Sequence, residues 1–391
     1  MAVLDFVDDE LAALEARGRR RGVRIVEARR GPVVLVDGRW VVSFSSNDYL
    51  GLADAPELVA AAHAALTKQG LGAGASRLIT GTSNDVAALE RELAAFHGVP
   101  AALVFGSGYA ANTGVIPALV GRGDAIFSDE LNHASIIDGA RLSRAEIHVW
   151  KHRDVEQLER MLDSGRWRRR LIVTESVFSM DGDLAGLLEL RRLAREHSAM
   201  LMVDDAHAVG IAGEGGRGYG VEVGADLVIG TLGKAFGTAG AYVLSLMNMS
   251  QYLWNRCRPL VFSTAQPPAI AAASRAALTL IAGREGAELR AGLDRNIRGV
   301  RDILVRLGVR VEPRASSPII PVIVGDDRGA VACSDFLLER GLLVQAIRPP
   351  TVPEGTSRLR IAVSARHSAA HLELLADALA DLNQRSMIPS E

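Results

Sequence analysis

Short apolar runs alternate along the chain with longer stretches of helical spacing. From about residue 50 the runs are Ala101–Phe105, Ala125–Ser128, Leu171–Thr174, Met200–Val203, Leu227–Gly230 and Ala241–Leu246. They carry few polar interruptions, as expected of strands buried on both faces. Between them Ala110–Val120, Val155–Leu162 and Leu187–Glu196 repeat apolar residues with helical period. Strands alternating with helices predict an α/β fold built on a mostly parallel sheet. In such sheets ligands lie beyond the carboxyl ends of the strands, so the residues just after each run carry the candidate chemistry.

The flanks read differently. Residues 1–42 form an expected N-terminal arm. Leu4, Leu11 and Leu14 suit a helix, and Val33–Val36, Asp37-Gly38 and Trp40–Val42 suit a hairpin with a tight primed turn. Residues 43–283 form the large domain. A long helical stretch begins near Pro267-Pro268 and runs through about Leu307. Beyond it Ile319–Val324, a helix near Val331–Arg340, Leu342–Ala346, Leu359–Ala362 and a last helix through Leu382 predict a smaller α+β C-terminal domain, residues 284–391.

Composition narrows the function. Lys plus Arg total 44 against 46 Asp plus Glu, a formal charge of −2, without the basic excess that nucleic acid or an anionic membrane demands. Two cysteines, Cys257 and Cys333, support neither a disulfide framework nor a cysteine-built zinc site. Met1–Glu10 is acidic and lacks a leader pattern, and no long uncharged apolar run occurs, so a cytoplasmic protein is expected. Five arginines between Arg17 and Arg24 suit either a solvated surface or an anion contact.

Five strand ends carry chemistry. After Ala101–Phe105 comes Gly106-Ser-Gly-Tyr-Ala-Ala-Asn112, a turn whose amides and helix N-terminus suit an anion. The turn also fits the dinucleotide pattern G-x-G-x-x-A, with Asp129 about 20 residues on. After Ala125–Ser128, His133 could stack on an aromatic cofactor or serve only as a structural hydrogen-bonder. After Leu171–Thr174 the string Glu175–Asp183 offers hydroxyls and carboxylates, suited to a polar turn or a hard cation. After Met200–Val203, Asp204 suits a protonated pyridine nitrogen and His207 a phenolic oxygen; metal ligation by the pair lacks a third ligand. After Leu227–Gly230, Thr231-Leu-Gly-Lys234 is no Walker loop, and Lys234 is a candidate Schiff-base former. Phosphate anchor, ring stack, ring-nitrogen partner, ring-oxygen partner and lysine together are what pyridoxal 5′-phosphate requires. The dinucleotide alternative, an NAD-dependent oxidoreductase, explains only the first turn.

With these residues in place the chain resembles the α-oxoamine synthases, a branch of the fold-type I pyridoxal-phosphate enzymes. The resemblance spans nearly the whole chain. It rests on Ser45-Ser-Asn-Asp-Tyr-Leu-Gly-Leu52, Ser76-Arg-Leu-Ile-Thr-Gly-Thr82, Gly108-Tyr109, Asn132-His-Ala-Ser135, Val177-Phe-Ser-Met-Asp-Gly182, Asp204-Asp-Ala-His207 and Thr231-Leu-Gly-Lys234. Arg348-Pro-Pro-Thr-Val-Pro353 with Gly355-Thr-Ser-Arg-Leu-Arg360 is most similar to the alanine-using branch of biotin biosynthesis. Val86 (commonly His) and Ala208 (commonly Gly or Ser) depart from the family pattern.

The resemblance implies roles. Lys234 would hold the cofactor and later move the substrate α-proton. Asp204 would meet the pyridinium nitrogen, His207 the phenolate oxygen, Ser179 the same side, and His133 the ring face. Gly108, Tyr109 and Thr231 would anchor the cofactor. Thr264, in Ser263-Thr264, would reach a partner subunit's phosphate, implying a homodimer with shared sites. Asn47 and Arg360 would take the substrate carboxylate. Arg24, or alternatively Arg21, would meet the acyl substrate, as would Thr351. No metal is implied. The implied reaction joins L-alanine to a pimeloyl thioester, on coenzyme A or a carrier protein, with loss of carbon dioxide. A glycine C-acetyltransferase is the nearest alternative; a catalytically silent partner subunit is a further one, which Lys234 argues against.

Overall fold

The computed structural model describes residues 4–311 and 317–388. The expected arm at 1–3 and the expected C-terminal domain at 312–316 and 389–391 lie partly outside the described residues. In chain order the strands are β1 (Val26–Arg30), β2 (Val33–Val36), β3 (Arg39–Ser43), β4 (Ala101–Phe105), β5 (Ala125–Asp129), β6 (Glu146–Trp150), β7 (Arg170–Glu175), β8 (Met200–Asp204), β9 (Leu227–Thr231), β10 (Ala241–Ser245), β11 (Ile319–Gly325), β12 (Leu342–Leu343), β13 (Gln345–Ile347) and β14 (Ser357–Ala362). The chain divides into two compact units, one of residues 50–179 and 184–290, the other of residues 1–49, 180–183 and 291–391. The cuts fall near 49 and 290, where the sequence pattern placed them near 42 and 283, and the N-terminal arm is counted with the C-terminal residues.

The larger unit holds a seven-stranded sheet of order β4-β10-β9-β8-β7-β5-β6. β6, β5, β7, β8 and β9 run parallel, and β10 runs antiparallel to both β9 and β4. Alternate residues of each strand face opposite sides. Ile126, Leu171, Val173 and Met202 join one apolar cluster, with helix Gly108–Leu119. Phe127, Ile172, Leu201 and Val203 join the other, with helices Val155–Asp163 and Leu187–Glu196. Each such side chain contributes about 1.5–3 kcal/mol by leaving water, so register is strongly specified. Gly230 is one point where only glycine fits: an added Cβ would lie 2.2 Å from the ring of Tyr242 on the neighbouring strand.

In the smaller unit β1, β2 and β3 form an antiparallel ribbon, and β12 adds to β3 in parallel. The β2–β3 turn is Asp37-Gly38, with φ of 50° and 71°, the left-handed pair of a primed hairpin. A second sheet has the order β11-β14-β13.

Several expectations change. The long helical stretch is two helices, Pro268–Ala282 and Arg284–Arg306, broken at Gly283. The expected strand Leu342–Ala346 is two short strands on different sheets, β12 and β13. β6 and β1 carry no long apolar run and went unread. The arm helix is present as Asp5–Ala16, but Leu4, Leu11 and Leu14 are exposed rather than packed into a core.

Candidate active site

The carboxyl ends of the parallel strands gather most of the expected residues of the larger unit. Glu175 ends β7, Asp204 ends β8 and Thr231 ends β9. Glu175 and Asp204 are register partners. Each strand ends in a residue that cannot extend the core, and each is followed by a turn.

Asp204 is 6 % exposed. Its Oδ1 accepts from the Ala206 amide at 2.9 Å and its Oδ2 from Asn112 Nδ2 at 2.7 Å. A buried carboxylate held by donors in this way suits a cationic ring nitrogen. His207 is also buried, and its Nε2 lies 2.6 Å from Lys234 Nζ, close enough for the two to share a proton. Lys234 is half-buried in the connection between β9 and β10. That connection is tied by Leu232 N–H to Gly240 O, Thr238 N–H to Leu232 O and Gly237 N–H to Lys234 O.

His133 is the N-cap of helix Ala134–Ser143. It is exposed, yet the protein around its ring lowers its pKa; burial is the largest cause, Asp204 opposes it and Lys234 adds to it. Its Nδ1 lies 2.8 Å from Ser135 Oγ and accepts from the Ser135 amide at 3.2 Å.

At the glycine turn Ser107 caps helix Gly108–Leu119 by accepting from Ala110 N–H at 3.1 Å. A Cβ added at Gly106 or Gly108 would meet nothing within 4 Å, so the helix N-terminus opens onto free space suited to an anion. Tyr109 donates its hydroxyl to Asp138, which raises its pKa. Thr231 donates to Gly240 O at 3.1 Å and accepts from Gly233 N–H at 3.2 Å. Ser179 is half-buried. Thr264 is exposed, bridges to Ser76, and lines a cavity of about 200 Å³ with Gly106, Ser107 and Arg77 of its own chain.

Two features have no cofactor role in the sequence reading, although Glu175 heads a string read as a polar turn or a hard-cation site. Glu175 is 3 % exposed and accepts from the backbone amides of His133 and Ser179. Burial, then the Asp204 charge, pushes its pKa up, with Lys234 opposing. Asn112 and Ser135 stand between Asp204 and His133. Only the position of Glu175 at a predicted strand end could have flagged it. Asp205 next to the site is likewise buried, and burial pushes its pKa up to about 7.

The remaining candidates belong to the smaller unit. Arg360, on β14 and 7 % exposed, donates from Nη2 to Asn47 Oδ1 at 3.2 Å, and Tyr49 OH donates to the same oxygen at 3.1 Å. Thr351 Oγ1 accepts from Arg21 at 3.1 Å. Arg24 instead pairs with Asp335 at 3.2 Å. Of the two arginines expected to meet the acyl substrate, Arg21 is the one bonded to Thr351, and Arg21 also lines a groove of about 610 Å³ with Leu11, Leu14 and Val352.

Pyridoxal 5′-phosphate fits the donor set of the larger unit. A buried carboxylate suits its ring nitrogen, an imidazole beside the lysine suits its phenolic oxygen, and open space at a helix N-terminus suits its phosphate.

The sequence matches the family described as aminotransferase class I and II over residues 39–379. It is 50 % identical to the 8-amino-7-oxononanoate synthase of Citrifermentans bemidjiense over 370 residues, 93 % of this chain and 95 % of that one. The same figure holds for the Geobacter sulfurreducens enzyme of that name, over 96 % and 97 %. Among solved structures, Sphingomonas wittichii serine palmitoyltransferase superposes with a TM-score of 0.93 at 35 % identity, covering 99 % of each chain. The Francisella tularensis 8-amino-7-oxononanoate synthase gives 0.76 at 28 % identity, covering 88 % of this chain and 98 % of that one. The chain belongs to the class I and II aminotransferase family and, within it, to the 8-amino-7-oxononanoate synthases.

Proposed function

We propose that the protein is a pyridoxal-phosphate-dependent acyltransferase. It condenses L-alanine with a pimeloyl thioester, giving 8-amino-7-oxononanoate, carbon dioxide and the free thiol. The observation that carries this reading is the meeting of the Lys234 amine, the His207 imidazole and the buried Asp204 carboxylate at one sheet edge, in a chain about half identical to synthases of that name.

The cofactor, when bound, supplies an electron-withdrawing ring that acidifies the amino-acid α-carbon. Lys234 would hold its aldehyde end and, as a free amine, would move a proton at Nζ. Asp204, whose oxygens accept from Asn112 and Ala206, would face the ring nitrogen. His207 and Ser179 serve the phenolic oxygen, and His133 covers the ring face. Gly108, Tyr109 and Thr231 lie at the phosphate end. Asn47 and Arg360 orient the alanine carboxylate, for which a guanidinium is well shaped. Arg21 and Thr351 meet the acyl substrate.

The reading includes a cytoplasmic homodimer in which Thr264 reaches the other subunit's phosphate. Phe262, two residues before Thr264, is 70 % exposed, and Ile79 is 75 % exposed; apolar side chains of this size favour cover by a second copy.

The test is borohydride reduction of the loaded protein followed by peptide mapping, with product assay. Label on Lys234 and carbon dioxide release from alanine plus pimeloyl-CoA are expected. Lys234→Ala should lose the label and about 10³-fold or more in kcat. Label elsewhere overturns the site. Faster turnover of glycine with acetyl-CoA replaces the reaction by glycine C-acetyltransfer.

A further inference from the structure

We infer that Asn112 and Ser135 are positioning residues, a bracket that holds Asp204 and His133 in one frame and fixes His133 as the tautomer protonated on Nε2. The inference rests on the reading that this edge holds pyridoxal phosphate, although its tautomer half can be measured without the cofactor.

Asn112 lies on the first helical turns after the glycine loop and is 1 % exposed. Its Nδ2 is 2.7 Å from Asp204 Oδ2 and 3.0 Å from Ser135 Oγ. The amide nitrogen has two hydrogens, and each has an acceptor. The reverse orientation would set an amide oxygen against a carboxylate. Among the described residues, Asn112 Oδ1 is buried with no partner. An orphaned buried acceptor costs about 1–3 kcal/mol. The site therefore keeps this amide for its two donors, at the expense of its carbonyl.

Proton placement follows down the chain. Ser135 Oγ accepts from Asn112, so its own hydrogen is directed to the remaining neighbour, His133 Nδ1, at 2.8 Å. The Ser135 backbone N–H points at the same Nδ1 from 3.2 Å. An Nδ1–H there would face a backbone N–H and leave the hydroxyl hydrogen without an acceptor. Nδ1 is therefore the acceptor, and the neutral ring carries its hydrogen on Nε2. Protonating Nδ1 would take the acceptor from both the Ser135 hydroxyl hydrogen and the Ser135 amide. The charged groups bearing on the ring, Asp204 and Lys234, act in opposite directions. Glu175 holds the same residue by its backbone amide. His133 thus serves the site as an Nε2–H donor, and Asp204 as a carboxylate of fixed plane.

The test uses the full chain. Nitrogen-15 NMR of the histidine rings, with His133 assigned from the spectrum of His133→Gln, should show an unprotonated Nδ1 and protonated Nε2 at neutral pH. Ser135→Ala should raise the His133 titration midpoint, and Ser135→Thr, which keeps the hydroxyl, should restore it. Asn112→Ala should weaken the pyridoxal-phosphate dissociation constant about 10-fold, equivalent to about 1.4 kcal/mol. An Nδ1–H signal in the unaltered protein overturns the tautomer. A Ser135→Ala midpoint equal to the parent's overturns the bracket even if Asn112→Ala fails to fold. If the parent protein binds no pyridoxal phosphate, the functional reading fails, while the ring spectra still decide the tautomer.

Discussion

At the carboxyl ends of the large sheet's strands three carboxyl groups, Glu175, Asp204 and Asp205, are buried. On β14 of the smaller unit two buried arginines stand two residues apart, Arg358 and Arg360. The first region gathers acidic groups, two of them, Glu175 and Asp205, with pKa values pushed up by burial, and the second gathers guanidiniums. Within β14 the two guanidiniums also differ. Arg358 pairs with the Asp181 carboxylate, whereas Arg360 donates to the neutral amide oxygen of Asn47. Arg358 is paired with a carboxylate of its own chain, and Arg360 is held by the amide oxygen of Asn47. The proposed function gives residues of the larger unit a cationic ring and amine, and Arg360 of the smaller unit a carboxylate.

The largest expected break in that division is Arg360→Ala. It should lower kcat/KM for alanine about 100-fold, the size of a lost charged hydrogen-bond pair. The pyridoxal-phosphate dissociation constant, measured by titrating the visible absorbance, should not move. Equal loss of both would place the residue in the wrong half of the comparison.

Glu175→Gln sharpens it less drastically. The Glu175 pKa is raised from an ordinary 4.5 in the fold, so the folded state binds the extra proton. Its contribution to stability is complete below 4.5 and lost as pH rises through the folded value. The cofactor-free Gln variant should therefore lose less thermal stability than the parent between about pH 5 and pH 9. A parallel pair of curves would show that Glu175 is already ionised in the fold. His97→Gln gives the smallest effect and tests what the two units share. Burial lowers the pKa of His97 in the larger unit and of His367 in the smaller one from 6.5 to about 4. Each contributes stability above 6.5 that is lost as pH falls toward 4. Thermal midpoints between about pH 7 and pH 4 should fall less steeply in the variant.

Much of this was legible in the sequence. The central strands carry unbroken apolar runs because both faces are covered, and a strand end is where a buried run meets its first charge, as at Val203-Asp204. That is why Asp204, His207 and Lys234 stand out in the sequence as strand-end candidates. β6 was hidden because an edge strand with Ile147 and Val149 partly in water need not be apolar throughout. Val344 separates β12 from β13, a switch of sheet that local pattern does not encode. Arg21 and Arg24 sit in one basic run, and only their separate partners, Thr351 and Asp335, distinguish them. Asn112 was quoted in a motif but had no role, because its acceptors come from residues 23 and 92 positions away.

The reversal of β10 has a mechanical consequence. Because that strand returns from the chemical edge instead of approaching it from below, the segment bearing Lys234 is a closed span clamped at both feet by the β9–β10 ladder. The backbone there is a fixed pivot and the side chain a short lever. The Lys234 amine is then repositioned by torsions in four methylenes, with no loop needing to travel.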